Sequence, residues 1–190
     1  REELQIDFLA EDVPSLMTDS KEGLMRVRKI VQDLRDFSHV DSAQDWQLAV
    51  LNKGIESTLN IVASEVRFKA DIVKEFGELP EVECLPSQIN QVVMNLVVNA
   101  AHAMGSERGR IVVRTGTSPG EAAEGGEAWI EVCDNGTGIA PEVLPRIFDP
   151  FFTTKPIGKG TGLGLSVSYG IVHKHKGRIH VDSEVGRGTT

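Results

Sequence analysis

The chain has 190 residues, 40% of them hydrophobic and 25% charged, with a formal net charge of −8. That make-up fits one good hydrophobic core with some length to spare, and it excludes wholesale disorder. The acidic balance argues against broad attraction to nucleic acid; with no apolar run of membrane-spanning length and no signal-peptide pattern in residues 1–30, the expected location is the cytoplasm, with no membrane contact by this segment.

Leu16, Ser20, Gly23, Val27, Ile30, Leu34 and Phe37 recur at alternating spacings of four and three, the seam of a coiled coil or helical bundle. Met17, Leu24 and Val31 widen the stripe, and Lys21, Arg28, Lys29 and Arg35 fall on the wet side. One isolated helix cannot bury such a stripe. It packs either on its own domain or in a dimeric bundle, and the length of the seam and the polar break after it favour the bundle. That break, "SHVDSAQD", reads as a linker. The expected organisation is a helical region over residues 1–40, a linker over 41–45, and a second domain from Trp46 to the end, 46–190.

In the second domain the pattern predicts a strand near 47–51, a helix near 53–65, a strand near 69–76 and a short strand at 82–84. A long helix follows from about 86 to 104, with Pro86 suited to its first turn and Gly105 to its exit. Strands near 110–115 and 128–133 flank the acidic, glycine-rich "SPGEAAEGGE", an exposed hairpin loop. A helix near 163–176, closed by Gly177, precedes a last strand in "RIHVDS". Without a regular βαβ repeat, this order favours a mixed sheet covered on one face by helices. Cys84 and Cys133 stand far apart and read as small reduced hydrophobes.

On the long helix, Gln88, Gln91, Asn95, Asn99 and His102 form one polar stripe on an otherwise apolar rod. An unpaired buried amide costs about 1–3 kcal/mol, so these side chains need partners. Either they build a structural network, or Asn99 offers its carboxamide oxygen to a hard cation such as Mg²⁺. Downstream, "WIEVCDNGTGIAPE" runs a strand into Asp134, with Gly136 and Gly138 allowing close backbone approach. Asp-Asn-Gly is also an ordinary turn. If a base lies there, a carboxylate acceptor selects the amino group of adenine over the carbonyl of guanine.

"RIFDPFFTTKPIGKGTGLGLS" sets Phe148, Phe151 and Phe152 at one end of a segment whose other end is glycine-rich, with Thr153, Thr154 and Lys155 between. The aromatics are either plain core or the anchor of a lid. The glycines fit neither a P-loop nor a Gly-x-Gly-x-x-Gly fingerprint. Where Gly162-Leu163-Gly164 enters a helix, backbone N–H groups and the helix dipole can face phosphate oxygens, with Lys155 and Lys159 adding charge.

In this order the pieces resemble the ATP-binding catalytic domain of bacterial two-component sensor histidine kinases, from the superfamily shared with type II topoisomerases, a heat-shock chaperone and mismatch-repair ATPases. "NLVVNAAHAM" is similar to the N box, "DNGTGIA" to the first G box, "IFDPFFTTK" to the F box and "GKGTGLGLS" to the second G box, with "GRGTT" similar to a later glycine turn. The resemblance implies an α+β fold: a two-layer α/β sandwich of the Bergerat type, its mixed, mostly antiparallel sheet covered on one face by helices, preceded by a bundle-forming helix. It also implies ATP and Mg²⁺ as cofactors. Asn99 becomes the Mg²⁺ ligand with Asn95 beside it, Asp134 the adenine acceptor over a floor shaped by Gly136 and Gly138, and Lys155 the contact to the terminal phosphate. Gly160, Thr161, Gly162, Leu163 and Gly164 become the phosphate-facing cover and helix start. His102 either touches phosphate or acts as a polar spacer. Asn99 and Lys155 are the expected catalytic pair.

"RVRKIVQDLRDFS" resembles the end of the second helix of the kinases' dimerisation and phosphotransfer domain. The phosphoacceptor histidine belongs to the preceding helix, so none of the five histidines here is expected to be it. The implied partners are the phosphoacceptor histidine domain of the parent kinase, the receiver domain of a response regulator and a second copy in a homodimer, with no nucleic acid. The strand that usually follows "GRGTT" is expected to be missing. Two alternatives stand beside the kinase: a nucleotide-binding dimerisation module without transfer, and an ATPase of the chaperone or topoisomerase type. The latter use a glutamate on the N-box helix, where this stripe carries Gln88 and Gln91.

Overall fold

The computed structural model describes residues 13–14, 16–21, 23–24, 27–28, 31, 45–118, 126–156 and 160–190. Ile30, Leu34 and Phe37 of the seam, residues 41–44 of the linker, most of the acidic loop and Lys159 lie outside these. Described positions between 13 and 31 are helical, and Leu16, Met17, Leu24, Val27 and Val31 of the stripe are exposed.

The strands are β1 (Gln47–Ala49), β2 (Ala70–Phe76), β3 (Val82–Cys84), β4 (Gly109–Ser118), β5 (Glu127–Asp134), β6 (Ser183–Glu184) and β7 (Gly188–Thr189). The helices are α1 (Leu51–Val66), α2 (Pro86–Ala103) and α3 (Gly164–Lys174). β1 and β3 form a small antiparallel ladder, while the main sheet runs β2-β4-β5-β7-β6. Its β2–β4 pair is parallel and the other three are antiparallel. A parallel pair needs a crossover, and α2 supplies it.

Helices cover one face of this sheet. Leu51, Ile55, Leu59, Val62 and Val66 recur every three or four residues, so α1 turns one apolar face onto the sheet. They join Val93, Val97, Ala100 and Ala101 of α2 and Ile111 and Val113 of β4 in one core. Each such valine, leucine or isoleucine side chain, fully buried, is worth about 1.5–3 kcal/mol. A Cβ on Gly54 would lie 2.6 Å from Asn90 Oδ1, so α1 and α2 cross closely where α1 has no side chain. The far side of α2 meets α3 through Val92, Leu163, Val167 and Ile171. α2 is therefore apolar nearly all round because it lies between α1, the sheet and α3. On the other face of the sheet, Arg114 of β4 bridges Glu75 of β2 and Glu131 of β5, each at 2.6 Å.

The long helix and the central strands lie where the sequence pattern puts them. The strand expected in "RIHVDS" does not: it is reduced to Ser183–Glu184, and residues 178–181 have no ladder. A strand needs a facing strand, and only the stretch from Asp182 to Glu184 faces residues 188–190. The glycine turn then contributes its own strand, β7, between β5 and β6. Its Thr189 pairs with Asp134 at the end of β5.

Candidate functional site

The polar stripe of α2 is divided between two neighbours. Asn95 donates from Nδ2 to the Gly164 carbonyl at 3.1 Å and to Ser168 Oγ at 3.2 Å, both on α3. One turn on, Asn99 Oδ1 accepts from Lys155 Nζ at 3.1 Å. The same ammonium lies 3.0 Å from His102 Nδ1. An ammonium only donates, so Nδ1 is the acceptor and a neutral His102 carries its proton on Nε2. That nitrogen faces Glu65 Oε1, in the last turn of α1, at 3.6 Å.

Asp134 ends β5 with 8% of its surface exposed. Its Oδ1 accepts from the Gly136 N–H at 2.8 Å, and the Thr189 N–H also donates to the carboxylate. Burial pushes the carboxyl above the usual carboxylate range, and these two N–H groups pull in the opposite direction. The loop after Asp134 is packed against the end of α2: Thr137 N donates to the Ala103 carbonyl at 2.9 Å, and a Cβ on Gly136 would lie 2.7 Å from that oxygen. Gly138 has φ +68°, and a Cβ there would run into the Glu184 carbonyl. Only glycine fits this loop at both positions.

The β6–β7 hairpin braces the loop from behind. Gly186 N donates to the Thr137 carbonyl at 2.9 Å, and Ser183 Oγ accepts from Ile139 N at 2.8 Å while donating to the Gly188 carbonyl at 3.0 Å. The sequence carries no local sign of Ser183's role, because its partners lie 44 residues upstream as well as in the turn.

The aromatic cluster is not plain core. Phe148 tilts against Tyr169 of α3 at 5.3 Å, Phe152 lies under the Arg146 guanidinium at 4.4 Å, and Phe151 is 62% exposed. Phe151 (φ 66°) and Gly162 (φ 69°) both adopt the left-handed region, and the Phe151 N–H donates to the Gly162 carbonyl at 2.9 Å. This bond clasps the two ends of the segment that carries Lys155. Inside it, Thr153 Oγ1 accepts from the Lys155 N–H at 3.2 Å, and a Cβ on Gly160 would lie 2.7 Å from the same hydroxyl. Thr161 Oγ1 accepts from Leu163 N at 3.4 Å, and the buried Leu163 leads into α3 at Gly164.

Thus Lys155 meets both Asn99 and His102, Asn95 meets Gly164, and the loop from Asp134 through Gly136 to Gly138 is held between the C-terminal end of α2 and the β6–β7 hairpin. Glu65, Ser168 and Ser183 join the arrangement without a sequence motif to announce them. His175 also emerges: its Nε2 accepts from the Leu85 N–H at 3.0 Å, so Nδ1 carries the proton toward the Ile171 carbonyl at 2.7 Å. The ring lies 4.7 Å from that of Trp46, tying the entry of the domain and the start of α2 to the end of α3.

Residues 84–190 match the family model of the histidine kinase-, DNA gyrase B-, and HSP90-like ATPases. The chain is 38% identical over 189 residues to the sensor kinase CckA of Brucella abortus (strain 2308), covering 93% of this chain and 20% of that protein. It is 37% identical over 166 residues to the signal transduction histidine-protein kinase AtoS of Escherichia coli (strain K12), covering 86% and 26%. The chain therefore spans about a fifth to a quarter of these relatives. Among solved structures, the nucleotide-free catalytic domain of the histidine kinase ThkA aligns with TM-score 0.63 and 30% identity over 77% of this chain and 93% of that one. ThkA in complex with the response regulator protein TrrA aligns with TM-score 0.67 and 27% identity over 89% of this chain and 46% of that one. With a family match over residues 84–190 and the braced loop, helix stripe and clasped segment in one fold, this chain belongs to the histidine kinase-, DNA gyrase B- and HSP90-like ATPase family and carries the ATP-binding catalytic domain of the histidine-kinase type.

Proposed function

We propose that this domain holds Mg²⁺·ATP so that the γ-phosphoryl passes to a histidine of the parent kinase's phosphoacceptor domain. The observation that carries this reading is the convergence of Lys155 on Asn99 and His102, across 56 and 53 residues of sequence. Asn99 Oδ1 already accepts a cationic group there, which fits a cation site. Among the described residues no three His, Cys, Asp or Glu side chains gather to hold a metal. The carboxamide oxygens of Asn99 and Asn95 suit Mg²⁺, which takes few protein ligands and keeps water and phosphate oxygens. When bound, the ion neutralises phosphate charge.

The protein's own groups do the positioning. Asp134 accepts from the adenine amino group, and Gly136 and Gly138 keep the floor under the base clear. Lys155 turns from Asn99 and His102 to the terminal phosphate, His102 stands beside it, and the backbone from Gly160 through Thr161, Gly162 and Leu163 to Gly164 covers the phosphates. In the transfer, the acceptor imidazole's lone pair forms the P–N bond, the bond from γ-phosphorus to the β–γ bridging oxygen breaks, and ADP leaves with that electron pair. Catalysis is then alignment and charge neutralisation.

The same reading makes residues 1–40 part of the dimerisation and phosphotransfer region, 41–45 the linker and 46–190 the catalytic domain, working in the cytoplasm. The exposed stripe of Leu16, Met17, Leu24 and Val27 supports a bundle with a second copy. The likeness to ThkA, solved with TrrA, supports a response regulator receiver domain downstream. The test is thermal stabilisation by ATP with and without Mg²⁺, followed by incubation with a phosphoacceptor-histidine helical domain and γ-labelled ATP. Stabilisation and acid-labile, alkali-stable label on the partner are expected. Binding without label would leave a passive nucleotide module, and steady hydrolysis would make the domain an ATPase of the chaperone or topoisomerase type.

A further inference from the structure

We infer that Ser168 is a positioning residue for this cleft: with Gly164 it fixes which end of the Asn95 carboxamide faces the bound nucleotide. The inference rests on the proposed ATP site and concerns a residue outside every motif that marks it. Ser168 is fully buried, so no water replaces it as a partner. Its hydroxyl has one hydrogen, donated to the Gly164 carbonyl one turn back at 2.9 Å. The oxygen's lone pairs are then left for Asn95, whose Nδ2 lies 3.2 Å away.

A carboxamide has two N–H hydrogens and one acceptor oxygen, at opposite corners of a plane. Both hydrogens of Asn95 have acceptors on α3: the Gly164 carbonyl at 3.1 Å and Ser168 Oγ. Rotating the amide by half a turn would set Oδ1 against the Gly164 carbonyl, which has no hydrogen to give, and strand a donor. The nitrogen is therefore committed to α3, and the oxygen is what Asn95 presents on the stripe it shares with Asn99. A hard cation or its water shell meets an acceptor there rather than a donor. The same clamp fixes the first turn of α3, whose N–H groups face the phosphates in the proposed site, against α2.

Two variants of the full chain test this. Ser168→Ala removes the hydroxyl; Ser168→Cys keeps nearly its volume but hydrogen-bonds weakly. The first readout needs no nucleotide: in a ¹⁵N–¹H spectrum the paired side-chain amide signals of Asn95 should shift and exchange faster in both variants. In the second, the Mg²⁺ concentration giving half-maximal tightening of ATP binding should rise roughly five-fold, the worth of one hydrogen bond, while metal-free ATP binding stays within about two-fold. A mere packing defect would weaken both kinds of binding together and would spare Ser168→Cys. Unchanged Asn95 signals, parallel losses with and without Mg²⁺, or a Ser168→Cys protein that behaves like the parent would overturn the inference. If the parent chain bound no ATP, the nucleotide reading would fall, and the Asn95 spectrum would still decide the role of Ser168.

Discussion

Lys155→Ala separates the two partners that the lysine serves. In the ligand-free fold its ammonium lies 3.1 Å from Asn99 Oδ1 and 3.0 Å from His102 Nδ1. The lysine is half-buried, so solvent screening reduces these contacts to about 1 kcal/mol together. In the proposed site a nucleotide that draws metal onto Asn99 displaces the lysine, so its removal should tighten ADP by roughly five-fold. ATP gains the same but loses the charge-assisted bond proposed between the lysine and the terminal phosphate, worth about 1.5–3 kcal/mol, or about 10- to 150-fold. ATP should thus bind about 2- to 30-fold more weakly in the variant, and the ratio of ATP to ADP affinity should fall by about 10- to 150-fold. Isothermal titration with each nucleotide at saturating Mg²⁺ measures both. The ratio is diagnostic, because the ligand-free contacts cancel in it. Equal shifts for ATP and ADP would show that Lys155 does not distinguish the terminal phosphate and would refute its assignment.

Three further substitutions probe the frame. Gly162→Ala forces alanine to φ +69° with its Cβ against the Phe151 backbone, so thermal unfolding should show a loss of more than about 2 kcal/mol, and an unchanged melting temperature would contradict the clasp. His175→Ala leaves the buried Leu85 N–H without its acceptor and strips a ring from Trp46; urea unfolding should show a loss of about 1–3 kcal/mol with altered tryptophan emission, and a neutral result would deny the link. Burial raises the carboxyl of Asp134, so in the ligand-free fold this group contributes stability below its ordinary value of 3.8, and that contribution is lost as pH rises through the higher folded value. Across that interval the parent should lose stability relative to Asp134→Asn, and parallel denaturation profiles would contradict the raised carboxyl.

Much of this was legible because it is local. α2 announces itself through Pro86, its apolar surround and one polar stripe, and β5 runs into Asp134 where alternation gives way to glycines. The stripe's members were readable, but not how they divide, since Asn95 and Asn99 are equivalent in sequence and differ only in whether α3 or Lys155 stands opposite. Ser168 and Glu65 read as ordinary helix residues until another helix brings a partner to them. The strand expected in "RIHVDS" failed for the complementary reason: a β pattern states only that one side of a segment is apolar, whereas a ladder also needs a facing strand. Phe151 was misleading in kind, since its type suggests burial while its left-handed backbone and exposure come from the clasp with Gly162.

The two ends of the proposed site are held by different means, and their recognition roles should differ accordingly. Around Asp134 the backbone is fixed from three directions: its own Gly136 N–H, the Ala103 carbonyl at the end of α2, and the β6–β7 hairpin through Gly186 and Ser183. In the proposed site a base arriving there would find its acceptor already oriented and incur little ordering cost. At the other end, Lys155 reaches Asn99 and His102 through a long side chain, and in the proposed site those contacts are exchanged for phosphate rather than added to it. In the proposed site, affinity for the adenine moiety should therefore belong to the braced end, and discrimination between nucleotide states to the exchangeable one. Asn95 lies one turn before Asn99 on α2, its nitrogen pinned by α3, so in the proposed site movement at the start of that helix acts on the metal side rather than on the base.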